Sequence, residues 1–158
     1  MYSLLILASL FTESTLIVTS SSFNDGGLIP VVYTCSGNNI SPELSITEVP
    51  KEAKTLAVIM YDPDAPGGNF DHWVSFDITP AGKIKEDAEP GVKGLNGKGT
   101  IGYTGPCPPS GTHHYHFKVY ALDSNLNLKE GASRKMVEDA MAGHIIASGV
   151  ITGLYKKK

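Results

Sequence analysis

Short apolar segments separated by glycine and proline recur along the chain, a pattern typical of a protein built from many short strands. Residues 16–20 predict a strand, residues 24–27 a turn and residues 29–33 an extended segment. Residues 55–61 are apolar at both alternate positions, which predicts a buried central strand. Residues 150–155 predict a last short strand.

One segment, residues 133–147, has the apolar period of a helix, and Ser133 is a suitable N-cap for it. Its apolar stripe consists of Met136, Val137, Ala140, Met141 and Ile145. Residues 83–105 are rich in glycine, lysine and acidic residues, which predicts a long surface loop. Because strands outnumber helices, we predict a mainly β fold, largely antiparallel, with one or two peripheral α-helices.

Two further predicted strands, residues 72–78 and 113–121, each begin with histidine. In the first strand, one face carries His72, Val74, Phe76 and Ile78, and the other carries Trp73, Ser75 and Asp77. In the second strand, one face carries His113, Tyr115, Phe117, Val119 and Ala121. The opposite face carries His114, His116, Lys118 and Tyr120. We therefore expect His72 and His113 at the rim of one core, where a pocket can form, and His114 and His116 facing away from it.

Polar and rigid residues are concentrated in two stretches, 61–73 and 105–117, which hold the only Trp and four of the five His. Asp62 and Asp64 follow the predicted central strand in a turn that Pro63 and Pro66 stiffen. Two interpretations stay open here. The carboxylates either cap backbone amides in a structural turn or begin a binding site.

The composition is that of an ordinary globular protein, with 41% hydrophobic and 18% charged residues in 158. The net charge of −3 predicts no broad basic surface, so we expect no nucleic-acid partner. Residues 1–11 are apolar, but no basic residue precedes them and they are too short to span a bilayer. We divide the chain into residues 1–14, an extension or signal-like segment, and a single domain over residues 15–158. The pattern favours a cytoplasmic location over export and indicates no transmembrane segment.

Cys35 and Cys107 lie far apart and lack the spacing of a metal-binding pair. This favours two free, part-buried thiols, and a single disulfide is the alternative. The Asp-x-Asp turn and the histidines are candidate metal ligands, but strand periodicity splits the histidines between two faces. We therefore expect no metal and no cofactor.

Signals for catalysis are weak. The chain has no Gly-x-Ser-x-Gly elbow and no glycine-rich phosphate loop, and Cys107 between two prolines has no evident activating partner. We predict that the protein is not an enzyme. A hydrolase that uses Asp, His and Tyr side chains is a remaining alternative.

Three motifs resemble the signature regions of the phosphatidylethanolamine-binding protein family, in particular its prokaryotic Raf-kinase-inhibitor-like branch. They are Tyr61-Asp62-Pro63-Asp64-Ala65-Pro66, His72-Trp73-Val74, and Gly105-Pro106-Cys107-Pro108-Pro109-Ser110-Gly111-Thr112-His113-His114-Tyr115-His116-Phe117. Residues 23–30, 33–35 and 39–42 also resemble that branch, and the likeness covers about residues 15–155. Two departures occur: His114 stands where the branch often has Arg, and Ser110 stands in place of a frequent Lys or Asp.

The resemblance implies two packed antiparallel sheets and a small anion pocket at one end. Carried over by position, the ligand-binding residues are Asp62, Asp64, His72, Gly105, Pro108, His113 and Tyr115. The resemblance implies a non-enzymatic protein that binds phosphate or a phosphoryl headgroup. A homodimer and an inhibitory role toward a serine protease or kinase, through the pocket rim, are also compatible with it.

The binding hypothesis gives each group a role. His72, His113 and the backbone around Gly105 would donate N–H bonds to the anion, and Tyr115 would donate its O–H. Asp62 and Asp64 would orient and charge the histidines or meet the ammonium of an ethanolamine-like group.

Overall fold

Two β-sheets and one α-helix make up the part of the chain that the computed structural model describes, residues 13–157. The elements in chain order are β1 (Ser14–Thr15), β2 (Ile17–Thr19), β3 (Leu44–Thr47), β4 (Thr55–Asp62), β5 (Phe70–Ile78), β6 (Lys83–Ile84), β7 (Val92–Lys93), β8 (Thr112–Leu122), α1 (Arg134–Met141) and β9 (Ile145–Lys156). The larger sheet has the order β1-β9-β8-β4-β5-β7 and the smaller sheet the order β2-β3-β6. Every pairing is antiparallel except that of β1 with β9. The predicted fold class is therefore confirmed.

The larger sheet separates two hydrophobic cores. The larger core lies between the two sheets and includes Leu44 and Ile46 of β3 and Phe117 of β8. The smaller core lies under α1, where Val137 and Met141 pack with Ile59. Since β4 has a core on each side, residues 55–60 are all buried, and the predicted central strand is confirmed.

Two β-bulges in β5 overturn the face assignment made for residues 72–78. Met60 pairs with Trp73 while Tyr61 pairs with Asp71, so His72 is an extra residue on this strand. A second register shift falls between the partners of Leu56 and Val58. Each bulge reverses the alternation, because one added residue moves the side chains that follow to the opposite face. As a result Trp73 and Ile78 belong to the larger core and Val74 and Phe76 to the smaller one.

Strand β8 keeps an uninterrupted alternation from residue 113 to residue 121, as predicted. Tyr115, Phe117, Val119 and Ala121 all lie in the larger core. Tyr120, on the opposite face, belongs to the smaller core.

The predicted helix over residues 133–147 is shorter than expected. Ser133 does cap it, since its hydroxyl accepts the N–H of Met136 at 3.3 Å. The helix ends at Met141, and Gly143 has a φ of 79°, which favours glycine. The chain then pairs with β8 from Ile145, so the last strand covers residues 145–156 rather than 150–155.

Two segments predicted without regular structure, or as extended, contain short elements. Residues 31–33 form a single 3₁₀ turn within the segment predicted as extended. The predicted loop 83–105 contains β6, β7 and a bridge between Leu95 and Ile101. Elements of two residues are too short for their hydrophobic pattern to be recognised in a sequence.

Cys35 and Cys107 form a disulfide, so the prediction of two free thiols is wrong. Their Cα atoms lie 5.4 Å apart. The two segments run side by side because the N–H of Cys35 donates to the carbonyl of Pro106 at 3.1 Å. A separation of 72 residues gave no sequence signal of this contact.

The prediction for residues 1–14 falls mainly outside the described residues; of that segment, Ser14 belongs to β1. No helix within residues 13–157 has both the length and the apolar character needed to cross a bilayer.

Candidate functional site

A cavity of about 330 Å³ opens at the end of the larger sheet where β4 ends and where β5 and β8 begin. Its walls are formed by Asp62, Ala65, Pro66, Phe70, His72, Lys98, Gly105, Cys107, Pro108, Pro109 and His113. Five of the seven site residues predicted from sequence are in this set: Asp62, His72, Gly105, Pro108 and His113. Most of the other wall residues are apolar, so the polar groups that face the cavity are few and are set in a mainly apolar wall.

His113 and Asp62 form a buried pair in the wall. Nδ1 of His113 lies 2.7 Å from Oδ2 of Asp62, and their side chains are 9% and 4% exposed. The other carboxylate oxygen accepts the backbone N–H of Asp64 at 2.8 Å, within the stiff turn that follows β4. Nδ1 of His113 is thus committed to the carboxylate, which leaves Nε2 for the cavity. When Nε2 is protonated, Asp62 balances the charge of the ring.

His72 is held differently. Its Nδ1 lies 2.7 Å from the carbonyl oxygen of Thr104, and the N–H of Thr104 donates back to the carbonyl of His72 at 2.8 Å. A carbonyl oxygen can only accept, so Nδ1 carries the proton. Burial lowers the pKa of His72 below its usual 6.5. The neutral ring has no second N–H, so the expectation that His72 donates into the pocket does not fit this geometry.

Tyr115 lies behind the two histidines, fully buried in β8. Its ring is edge-on to His72 at 5.2 Å between centroids and is stacked with His113 at 6.5 Å. Its hydroxyl has no hydrogen-bond partner among the described residues, although the backbone of Cys107 lies near it. Burial raises the pKa of Tyr115 well above its usual 10, so the hydroxyl keeps its proton and can donate.

Lys98 is the one lysine or arginine among the cavity residues, and the sequence analysis did not single it out. It sits on a turn that the buried side chain of Asn96 closes. Oδ1 of Asn96 accepts the N–H of Lys98 at 3.0 Å, and Nδ2 donates to the carbonyl of Gly102 at 3.0 Å. The glycines on either side of Lys98 signal a turn, but nothing in one sequence places that turn over the cavity.

Gly105 brings its backbone close to another segment. Its N–H donates to Oδ1 of Asn39 at 2.7 Å, so the expectation that this N–H binds a ligand does not fit the structure. A Cβ at this position would overlap the carbonyl oxygen of Tyr33, which only glycine avoids. Gly105 therefore shapes the wall by close approach rather than by donation.

Asp64 lies outside the cavity. Its Oδ2 accepts the N–H of His114 at 2.8 Å and lies 2.7 Å from Nδ1 of the same residue. These contacts, the backbone one foremost, lower the pKa of Asp64 below its usual value. His116 lies on the same face, with Nδ1 2.7 Å from Oγ1 of Thr152. Within residues 13–157, no three His, Cys, Asp or Glu side chains are grouped so that they could hold a metal ion.

The family model of the phosphatidylethanolamine-binding protein matches residues 19–156 of the chain. Among curated relatives, a UPF0098 protein from Pyrococcus horikoshii is 46% identical over 157 residues, which cover 92% of this chain and 79% of that protein. A UPF0098 protein from Methanothermobacter thermautotrophicus is 49% identical over 144 residues, or 86% of this chain and 95% of that protein.

Solved structures agree with this match. A phosphatidylethanolamine-binding protein homologue from Chlamydia trachomatis has a TM-score of 0.88 and 41% identity, covering 92% of this chain and all of that chain. YbcL of Escherichia coli, described as a member of the mammalian family, has a TM-score of 0.84 and 33% identity, with the same coverage.

Proposed function

The chain belongs to the phosphatidylethanolamine-binding protein family, and from that premise we propose that this binding protein takes a small anion, phosphate or a phosphoryl headgroup, into its cavity. The observation that carries the proposal is the buried pair of His113 and Asp62, with 2.7 Å between Nδ1 and Oδ2. A carboxylate at this distance compensates a protonated imidazole, so His113 can present a charged N–H to a ligand in a mostly apolar wall.

Two further donors support an anion as the occupant. Lys98 brings a full positive charge to the rim, and the buried hydroxyl of Tyr115 has no acceptor among the described residues. An unpaired buried donor is destabilising unless a ligand or water accepts from it. Tyr115 is not among the residues that form the wall itself, so its donation requires the ligand to reach past the two histidines.

Affinity for a ligand this small should be modest. Hydrogen bonds to charged groups contribute about 1.5–3 kcal/mol each before desolvation. Two or three of them total about 3–9 kcal/mol, and the cost of desolvation reduces this total, so we expect dissociation constants from about a millimolar to tens of micromolar. The wall provides no free thiol, because Cys107 is bonded to Cys35, and it includes no serine. We therefore propose binding without covalent catalysis.

A crystal grown with phosphate tests this proposal. Tetrahedral density between His72 and His113, with Lys98 directed toward it, is the expected result. Density confined to the outer face near Asp64 and His114, with an empty cavity, would place the anion site elsewhere. Turnover of phosphate or carboxylate esters, with or without divalent metal, would refute the non-enzymatic part of the proposal.

Inhibition of a serine protease or a kinase is a second candidate function, favoured by one observation at the rim. Leu95 and Ile101 pair across the turn that carries Lys98, and the two residues are 36% and 41% exposed. Exposed apolar residues beside a cation can form part of a protein interface. Incubation with panels of serine proteases and kinases at micromolar protein tests this role, and a lack of inhibition across both panels would count against it.

A further inference from the structure

We propose that the cavity selects oxyanions that carry a P–OH hydrogen over anions of the same shape and charge that lack one. The chemical class comprises hydrogen phosphate and the protonated form of phosphate monoesters. This inference rests on the proposed function, since it names which anions the same cavity prefers. It follows from the two histidines having different hydrogen-bonding roles in one small space.

His72 supplies the acceptor that this selection needs. Its Nδ1–H is given to the carbonyl of Thr104 at 2.7 Å, so Nε2 is left with a lone pair and no proton. The ring that lines the cavity therefore offers an acceptor, and an anion with bare oxygens can only repel it.

The surroundings of His72 oppose the two changes that would turn this acceptor into a donor. A flipped ring would lose the hydrogen bond to Thr104. The rings of Phe70 and Tyr115 also pack against it, with centroid distances of 4.8 Å and 5.2 Å. Protonation of the ring is opposed most strongly by burial and also by the positive charge of Lys98, whereas the backbone hydrogen bonds with Thr104 and Gly105 and the charge of Asp62 favour it. Of the titratable residues in β8, Tyr115 packs edge-on against the ring and His113 lines the same cavity. The net effect of burial and these contacts is a lowered pKa of His72.

The remaining polar groups are mainly donors. Lys98 and the hydroxyl of Tyr115 donate, and His113 donates from Nε2 when that nitrogen is protonated. Several donors and one acceptor complement an oxyanion with several bare oxygens and one O–H. A site built around such a hydrogen bond discriminates strongly against an analogue without the hydrogen, because a buried polar group is then left unpaired.

Isosteric ligand pairs test the inference without altering the protein. Phosphate and sulfate at pH 7 have the same shape and similar charge, but only phosphate carries a hydrogen. Methyl phosphate below its second pKa of about 6 and methyl sulfate are both monoanions with one methyl group. Calorimetry or NMR titration should show the phosphorus compound binding about tenfold more tightly, or better, in each pair.

Further titrations identify which class of phosphorus compound supplies the P–OH group. Inorganic phosphate keeps a hydrogen at pH 8, whereas methyl phosphate has lost it. Between pH 5.5 and 8, the affinity of methyl phosphate should therefore fall markedly relative to that of sulfate, and the affinity of inorganic phosphate should not. Dimethyl phosphate, which has the diester linkage of a phospholipid headgroup and no hydrogen, should bind as poorly as methyl sulfate. Tighter binding of dimethyl phosphate than of methyl phosphate at pH 5.5 would overturn the inference in favour of a diester ligand.

Two variants distinguish the effect of the acceptor on His72 from the attraction of any anion by positive charge. His72→Asn keeps a donor for the Thr104 carbonyl and removes the Nε2 lone pair, so the ratio of phosphate to sulfate affinity should fall toward one. Lys98→Met should weaken both anions and leave the ratio unchanged. Equal affinity of phosphate and sulfate in the unmodified protein overturns the selection but not the anion pocket. A lack of binding by every ligand overturns the pocket and the selection together.

Discussion

Nδ1 of His113 lies 2.7 Å from Oδ2 of Asp62, and both side chains are almost fully buried. His72, which also lines the cavity, makes its 2.7 Å contact with a backbone carbonyl instead. A carboxylate can balance a second proton on its histidine, whereas a carbonyl only fixes the tautomer. The cavity therefore holds one histidine paired with a carboxylate and another paired with a backbone carbonyl.

Replacement of Asp62 by Asn should weaken phosphate binding about tenfold at neutral pH, a loss of about 1.4 kcal/mol. The amide keeps the shape and an acceptor oxygen for His113 but removes the charge that balances the ring. Calorimetric titration with phosphate measures the effect.

The matched control for that change is Asp64→Asn, two residues away. Asp64 contacts His114 on the outer face and is not part of the cavity wall. Its replacement should leave phosphate affinity within about twofold, since exposed pairs contribute little. A larger loss of affinity in Asp64→Asn than in Asp62→Asn would contradict the site geometry.

The stability of the protein should depend on pH through His72. Burial lowers the pKa of His72 in the folded state below the 6.5 of an exposed histidine. Between these two pKa values the unfolded chain binds more protons, so the free energy of unfolding falls as the pH drops below about 6.5. Urea denaturation from pH 7.5 to 5 should show a smaller loss for His72→Asn than for the unmodified protein.

His116 does not affect the comparison between His72→Asn and the unmodified protein. Burial lowers its pKa as well, but it is present in both proteins and its contribution cancels in the difference. Parallel stability curves for the two proteins over this pH range would show that His72 does not titrate as described.

The fold was predictable where a pattern extended over many residues. The alternation from His113 to Ala121 and the apolar run from Thr55 to Met60 identified β8 and β4 correctly. Strand β5 was not predictable from alternation, because its bulges insert residues that no local preference announces. The prediction of His72 at the pocket was reached through a wrong face assignment, and the bulge brings the ring to Tyr115.

Contacts between residues far apart in the sequence could not be predicted, for a different reason. The disulfide of Cys35 and Cys107 and the turn that carries Lys98 depend on how distant segments are placed. Gly105 was identified from the family motif, but its role was assigned wrongly, since Asn39 already accepts its N–H. Hydrogen-bond partners more than a few residues apart have no periodic signature in a single sequence.

Reduction of the disulfide should destabilise the protein by about 2–4 kcal/mol, because the bond closes a long loop in the unfolded chain. Urea denaturation with and without dithiothreitol measures the change. The double variant Cys35→Ser with Cys107→Ser should match the reduced protein and show no response to the reductant. Equal stability of the oxidised and reduced proteins would contradict the expectation.

Gly105→Ala should destabilise the protein by about 1–3 kcal/mol and weaken phosphate binding, because its Cβ would overlap the Tyr33 carbonyl. Gly67→Ala is the matched control in the turn on the other side of the cavity. A Cβ there meets nothing within 4 Å, so stability should change by less than about 0.5 kcal/mol. Denaturation and phosphate titration of the two variants measure these effects. Equal stability and equal phosphate affinity of Gly105→Ala and Gly67→Ala would contradict the close approach at Gly105.

The anion pocket between His72 and His113 is tested most directly by a phosphate titration followed through ¹H–¹⁵N NMR of the histidine side chains. His72 should show Nδ1 protonated and Nε2 bare before phosphate is added. The signals of His72 and His113 should then move most, while those of His114 and His116 move little. Stationary His72 and His113 signals, with shifts at His114 and His116 instead, would contradict the account.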